Sequence, residues 1–190
     1  MQTRLILALL VVIPLLGGCI AAAVVGAGAA GAMMATDRRS TGAYTDDETL
    51  EWKISLAIRD KFGEKAVHIN VTSFNRIVLL TGEAPSEEVR QEIQKIAQAQ
   101  KTARDVRNEI VVGQPTALQS WTDDSYITSK VMANMVGNPD VNQYYVKVVT
   151  ENSVVYLMGL VTRKEGEAAA EVAANTSGVK RVVKVFEYTG

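Results

Sequence analysis

Beyond residue 46 the apolar positions follow first a helical and then an alternating rhythm, and the whole course runs twice. Leu50, Ile54, Ala57 and Ile58 fall at helical spacing and give way to a charged break at Asp60 to Lys65. Val67-His68-Ile69-Asn70-Val71 alternates with period two, Ser73 to Arg76 reads as a turn, and Ile77 to Leu80 as a buried strand ended by Gly82. Ser86 stands where an N-cap is needed, with Glu87 and Glu88 in the first turn of the helix it opens. Val89, Ile93, Ile96 and Ala97 give that helix one apolar face, and Val106 to Val112 returns as a strand. The same order of helix, strand, strand, helix and strand is expected at 124–136, 144–150, 153–160, 163–176 and 180–188. Gln114 to Thr122, with Pro115, is the linker between the two copies.

The copies align without a gap at a shift of 77 residues, 47–110 on 124–187. Identities include Asp47/Asp124, Lys53/Lys130, Val71/Val148, Asn75/Asn152, Leu80/Leu157, Gly82/Gly159 and Arg104/Arg181, and apolar residues coincide at Ile54/Val131 and Ile58/Met135. Two copies of one small domain, at 47–113 and 123–190, are the economical reading. Each is an α+β module, αββαβ in order, with two helices on a small mixed three-stranded sheet.

The N-terminal stretch has a different character. Met1-Gln2-Thr3-Arg4 is a short basic segment, Leu5 to Leu16 is apolar apart from Pro14, and Gly17-Gly18 precede Cys19. This is the layout of a secretory signal peptide over 1–18, too short for a membrane-spanning helix. Leu16-Gly17-Gly18-Cys19 resembles a bacterial lipobox, which implies lipidation of Cys19 with a diacylglyceryl thioether and an N-terminal acyl chain such as palmitate. At about 0.8 kcal/mol per buried methylene, several such chains anchor a protein durably. Ile20 to Ala35 is built almost entirely of alanine, glycine, valine and methionine, and Thr36 to Asp47 is polar without apolar periodicity. Residues 19–46 therefore read as an acylated N-terminus and flexible tether.

Composition removes most chemistry. The 190 residues carry 20 basic and 21 acidic side chains, one histidine and one cysteine. That balance gives no electrostatic footprint for nucleic acid, and one cysteine excludes a disulfide framework. A single imidazole leaves no His-based metal cluster. His68 alternates with Asn70 on its strand and reads as a polar residue, solvent-facing or satisfied, rather than a ligand. Asp46-Asp47 and Asp123-Asp124 are better explained as helix N-caps than as paired catalytic acids. Gly26 to Gly31 lacks the strand and the Lys-Ser/Thr of a phosphate loop, so no cofactor, no metal and no enzyme activity are expected.

The strand motifs Val78-Leu79-Leu80-Thr81-Gly82 and Val155-Tyr156-Leu157-Met158-Gly159 resemble the V-x-L-x-G strand of the BON domain. The closing segments Arg104-Asp105-Val106-Arg107-Asn108-Glu109-Ile110 and Gly178-Val179-Lys180-Arg181-Val182-Val183 resemble its Val-rich last strand. A lipobox followed by two BON domains is similar to the dual-BON outer-membrane lipoproteins. That resemblance implies a non-enzymatic protein, lipid-anchored in the outer membrane with its domains facing the periplasm, that supports envelope integrity. Isoleucine rather than aspartate after Cys19 also resembles enterobacterial lipoproteins exported to the outer membrane. The family implies contact with anionic phospholipid through the first helix of the second domain, location at the division site, and association with the outer-membrane barrel assembly machinery. The alternative is an envelope interaction protein whose BON domains bind protein partners.

The residues of that helix bear on the choice. Ile127, Val131, Asn134 and Met135 fall on one arc, the expected core face, while Tyr126, Met132, Ala133 and Val136 lie on the outer arc with Lys130 at its edge. An apolar outer arc suits either lipid headgroups or packing against the first copy, which has its own outer pair, Trp52 and Leu56. The lipid-binding candidates are thus Tyr126, Ile127, Lys130, Met132, Ala133, Asn134, Met135 and Val136.

Overall fold

The computed structural model describes residues 37–63, 66–114 and 118–190. The expected signal peptide, Cys19, the expected tether up to residue 36, and residues 64–65 and 115–117 lie outside the described residues. Each domain follows the expected order. In the first, α1 (Thr41–Phe62) leads to β1 (His68–Phe74), β2 (Ile77–Ala84), α2 (Glu87–Gln98), β3 (Asp105–Asn108) and β4 (Val111–Val112). In the second, α3 (Leu118–Val136) and a 3-10 turn (Gln143–Tyr145) precede β5 (Val146–Glu151), β6 (Val154–Val161), α4 (Arg163–Ala174) and β7 (Arg181–Tyr188). β1 and β2 pair antiparallel, as do β5 and β6, and the last strand of each domain returns parallel to the hairpin's second strand. Both sheets are therefore mixed, and the α+β reading with two αββαβ modules holds. The last strand of the first domain is interrupted at Glu109–Ile110, so β3 and β4 pair with β2 separately. Register confirms the shift of 77: Ile69 faces Gly82 and Val146 faces Gly159.

Both first helices start earlier than the apolar pattern announces. Ser40 caps α1 by accepting from the Ala43 amide at 3.1 Å, so six residues expected to belong to the tether are helical. The reason is that Ala43 and Asp47 are buried. Asp47 and Asp124 are consequently not N-caps. Each lies inside its helix and accepts hydrogen bonds from the neighbouring hairpin turn. Asp47 receives the Asn75 amide at 2.8 Å, the Arg76 amide at 2.6 Å, the Ser73 hydroxyl at 2.7 Å and the Arg39 guanidinium at 2.9 Å. Asp124 receives the Asn152 and Ser153 amides at 2.7 and 2.8 Å. Those turn residues have φ of 49° and 63° in the first domain and 50° and 65° in the second. Two successive left-handed residues make the two-residue hairpin turn whose twist suits antiparallel strands. Arg76 and Ser153 adopt that conformation at a cost of about 1–2 kcal/mol each, which the carboxylate hydrogen bonds offset.

Gly82 and Gly159 lie within β2 and β6 rather than ending them. Their requirement is close approach: a Cβ on Gly82 would stand 1.9 Å from the His68 carbonyl oxygen, and one on Gly159 2.4 Å from that of Tyr145. Ser86 caps α2 as expected, and Thr162 with Glu165 forms a capping box on α4.

Side chains of β2 and β6 are buried on both faces. Val78 and Leu80 join Leu50, Ile54 and Ile93 under the helices of the first domain, and Val155 and Leu157 join Val131, Met135 and Ala169 in the second. The opposite faces meet each other. Phe74 and Leu79 pack with Tyr156, Met158 and Val185 in a third core between the two sheets, placing the helices on the outside of a four-layer body. Polar pairs rim this seam: Asn75 and Arg104 donate to Glu187, Asn152 donates to Glu83, and Arg181 pairs with Glu109. Burial pushes the Tyr156 phenol up to about 12. Ahead of α1, Arg38 forks onto Glu165 at 2.7 and 2.8 Å, its guanidinium 3.8 Å from the Tyr145 ring centroid, while Arg39 covers Phe74 at 4.0 Å. Residues 38 and 39 thus strap one domain to the other.

Three outcomes test this account. Asp47→Ala strands two turn amides and the Ser73 hydroxyl, and urea unfolding should show a loss of about 3–5 kcal/mol. Ser153→Gly removes left-handed strain and should leave stability unchanged or raise it by up to about 1 kcal/mol. The Arg38 hydrogen bonds hold the Glu165 carboxyl down to about 2, against an ordinary 4.5. A depressed folded pKa contributes stability above the ordinary value that is lost as pH falls towards the depressed one. The gap between wild type and Arg38→Ala in urea midpoint should be full at pH 7 and close between pH 4.5 and 2.

Candidate functional site

The first helix of the second domain presents its outer arc to solvent. Tyr126 is 66% exposed, Met132 45% and Val136 64%, with Ala133 exposed between them. Helical spacing puts these four on one side of α3, and the sheets lie on the other. Ile127, Val131 and Met135 are buried in the domain core, so Ile127 and Met135 of the candidate set support the helix from beneath and do not reach its outer surface. Asn134, expected on the core arc, is exposed at its rim, where its amide donates to Thr176 Oγ1 at 2.9 Å. The first copy does not cover the outer arc, because the two domains meet through their sheets.

Lys130 is half-buried and turned along the helix. Its ammonium donates to the Ser177 carbonyl at 2.6 Å, contacts the Ser177 hydroxyl, and stands 5.2 Å from the Tyr126 ring centroid. A cation over an aromatic face beside exposed methionine and valine side chains makes an amphipathic surface with one positive point.

The equivalent arc of α1 differs by sequence. At the positions of Met132 and Val136 the first domain carries Ser55 and Arg59, both exposed and polar. Trp52 is 64% exposed, and Leu56 is half-buried. The apolar character thus sits at the C-terminal end of the helix in the second domain and on a single tryptophan in the first.

Among the described residues, no helix is long and apolar enough to cross a membrane. One constellation escaped the sequence reading: His68, Glu83 and Glu151 place their ligating atoms within 4.8 Å of one another. They come from three strands and two domains, so no spacing along the chain marks them.

A profile of the BON domain matches residues 46–114 and 123–190. The chain belongs to the BON-domain family. It is 40% identical over 174 residues, 91% of this chain and 90% of the relative, to the outer membrane lipoprotein DolP of Haemophilus influenzae. The 21 kDa hemolysin of Actinobacillus pleuropneumoniae is 35% identical over 80% of this chain and 79% of its own length. Osmotically-inducible protein Y of Escherichia coli is 26% identical over 80% of this chain and 78% of its own. Two BON domains at this level of identity make the chain a DolP-like dual-BON lipoprotein.

The two BON domains differ in exposed apolar surface, which gives a direct comparison. In a fragment lacking residues 1–37, Val136→Glu removes apolar contact without touching the core. It should leave the circular dichroism spectrum and urea midpoint within about 0.5 kcal/mol of wild type. Met135→Glu places a charge in the core and should cost at least about 3 kcal/mol.

Proposed function

We propose that this chain is an outer-membrane lipoprotein, acylated at Cys19 and facing the periplasm, whose second BON domain rests on anionic phospholipid through the outer arc of α3. In this reading Tyr126, Met132, Ala133 and Val136 enter the headgroup boundary. Lys130 exchanges its Ser177 contacts for a lipid phosphate. The observation that carries the proposal is the uncovered apolar arc of Tyr126, Met132 and Val136, with a cation at its edge. Methionine adapts to irregular partners, which suits disordered acyl chains. The likeness to an outer membrane lipoprotein over nearly the full length supports the location. Support of outer-membrane integrity at the division site, without catalysis, is the role that fits such a tethered lipid-reading module.

A second reading rests on Trp52. The exposed Trp52 on the corresponding helix of the first domain suits a protein partner, such as the outer-membrane barrel assembly machinery. The two readings assign different helices to different partners and are separable.

Co-sedimentation of the fragment without residues 1–37 with anionic and with zwitterionic liposomes tests the lipid contact. Val136→Glu and Tyr126→Glu should weaken binding to anionic vesicles by about 2–3 kcal/mol where the side chain enters hydrocarbon, while Trp52→Glu should bind as wild type does. Loss confined to Trp52→Glu would move the lipid site to the first domain. For the anchor, Cys19→Ala should leave an unprocessed precursor, and an outer-membrane fraction still holding processed mutant protein would refute acylation at Cys19.

A further inference from the structure

His68 opens β1 and faces Glu83 across the hairpin, their side chains 3.4 Å apart. Glu151, at the end of β5 in the other domain, completes the group, with the ligating atoms of all three within 4.8 Å of one another. Glu83 is 4% exposed and Glu151 9%, whereas the imidazole is partly open to solvent. Glu151 is held by neutral donors, Asn70 at 2.7 Å and Thr81 at 3.3 Å, both on Oε2, and Glu83 by Asn152. His68, Glu83 and Asp124 lie close enough to Glu151 for their charges to act on it. A cavity of about 290 Å³, lined by His68, Asn70, Asp124, Thr128 and Glu151, adjoins the group and leaves room for water.

The repeat supplies an internal comparison. At the positions related by 77 residues to His68, Glu83 and Glu151 stand Tyr145, Leu160 and Phe74. That side of the seam is covered by cations from this chain. Arg38 lies over Tyr145 and donates to the Leu160 carbonyl at 3.2 Å, and Arg39 lies over Phe74. The acidic side instead brings two carboxylates and an imidazole together beside a cavity.

We propose that His68, Glu83 and Glu151 bind a first-row divalent transition cation, with Zn²⁺ as its representative, and that the ion bridges the two BON domains. One imidazole nitrogen and two carboxylate oxygens suit a borderline cation, whereas Mg²⁺ and Ca²⁺ favour oxygen alone. With ligand bonds near 2.0–2.2 Å, a tetrahedral site needs its ligand atoms about 3.3–3.6 Å apart, so the three side chains close in slightly and water takes the fourth position. Both domains contribute a ligand, so the ion stabilises their docked arrangement.

The test uses the full acylated chain in detergent micelles, purified without a polyhistidine tag, in a non-chelating buffer at pH 7. Isothermal titration with ZnCl₂ should show one equivalent bound, thermal unfolding should shift upwards with Zn²⁺, and millimolar Mg²⁺ should not compete. Glu151→Gln keeps the side chain's shape, and His68→Gln alters a partly exposed position; each should weaken Zn²⁺ at least about tenfold while circular dichroism stays unchanged. Absence of Zn²⁺ binding to wild type, or equal binding by both folded variants, would overturn the proposal.

Discussion

A buried aspartate inside the first helix of each domain decides how that domain closes. Asp47 and Asp124 each hold the amides of a two-residue turn in which both residues are left-handed, and neither turn contains glycine. Without that carboxylate the turn would bear both unfavourable backbone angles and unpaired amides. With it, the helix is pinned to the hairpin tip, the hairpin register follows, and the apolar side chains of β2 and β6 alternate correctly between the two cores. The same carboxylate explains why each helix extends upstream of its apolar pattern: the aspartate must be presented from inside the helix.

Fixing the hairpins also fixes what is left outside. Because β2 and β6 bury both faces, one under helices and one against the other sheet, the domains dock through strands and keep their first helices on the surface. A helix in that position needs only one apolar stripe. The stripe of α3 holds Ile127, Val131 and Met135, so the further apolar residues on its far side have no folding task. Such a surplus is where a functional reading has physical content.

The elements were legible because their apolar periods were regular and the repeat supplied a second copy of each. The aspartates were visible too, but their role was misassigned, since N-capping is read from neighbours along the chain while turn-holding depends on a hairpin some 28 residues away. The capping box at Thr162-Arg163-Lys164-Glu165 could have been found by its spacing alone. Arg38 could not, because its partners Glu165, Leu160 and Tyr145 become neighbours only through tertiary packing. The outer arc of α3 was legible as a pattern. Its freedom from the first domain was not, since that depends on which faces of the two modules meet.

Duplication produced two scaffolds that share the residues holding each hairpin and diverge over much of their surface. Asp47/Asp124, Asn75/Asn152 and Gly82/Gly159 are shared, and each answers to a backbone requirement of the hairpin. Ser55/Met132 and Arg59/Val136 face solvent in both copies, so the core requires neither the polar nor the apolar choice. Around the seam the same divergence sets His68, Glu83 and Glu151 against Tyr145, Leu160 and Phe74. The two acids there are held by the Asn70, Thr81 and Asn152 side chains and face the His68 imidazole. An apolar trio at the equivalent positions, covered by Arg38 and Arg39, shows that the fold has no need of acids there. Symmetry therefore helps to sort the residues: the shared aspartates, asparagines and glycines hold each hairpin, whereas the outer arc of α3 and the seam trio are features of one copy alone.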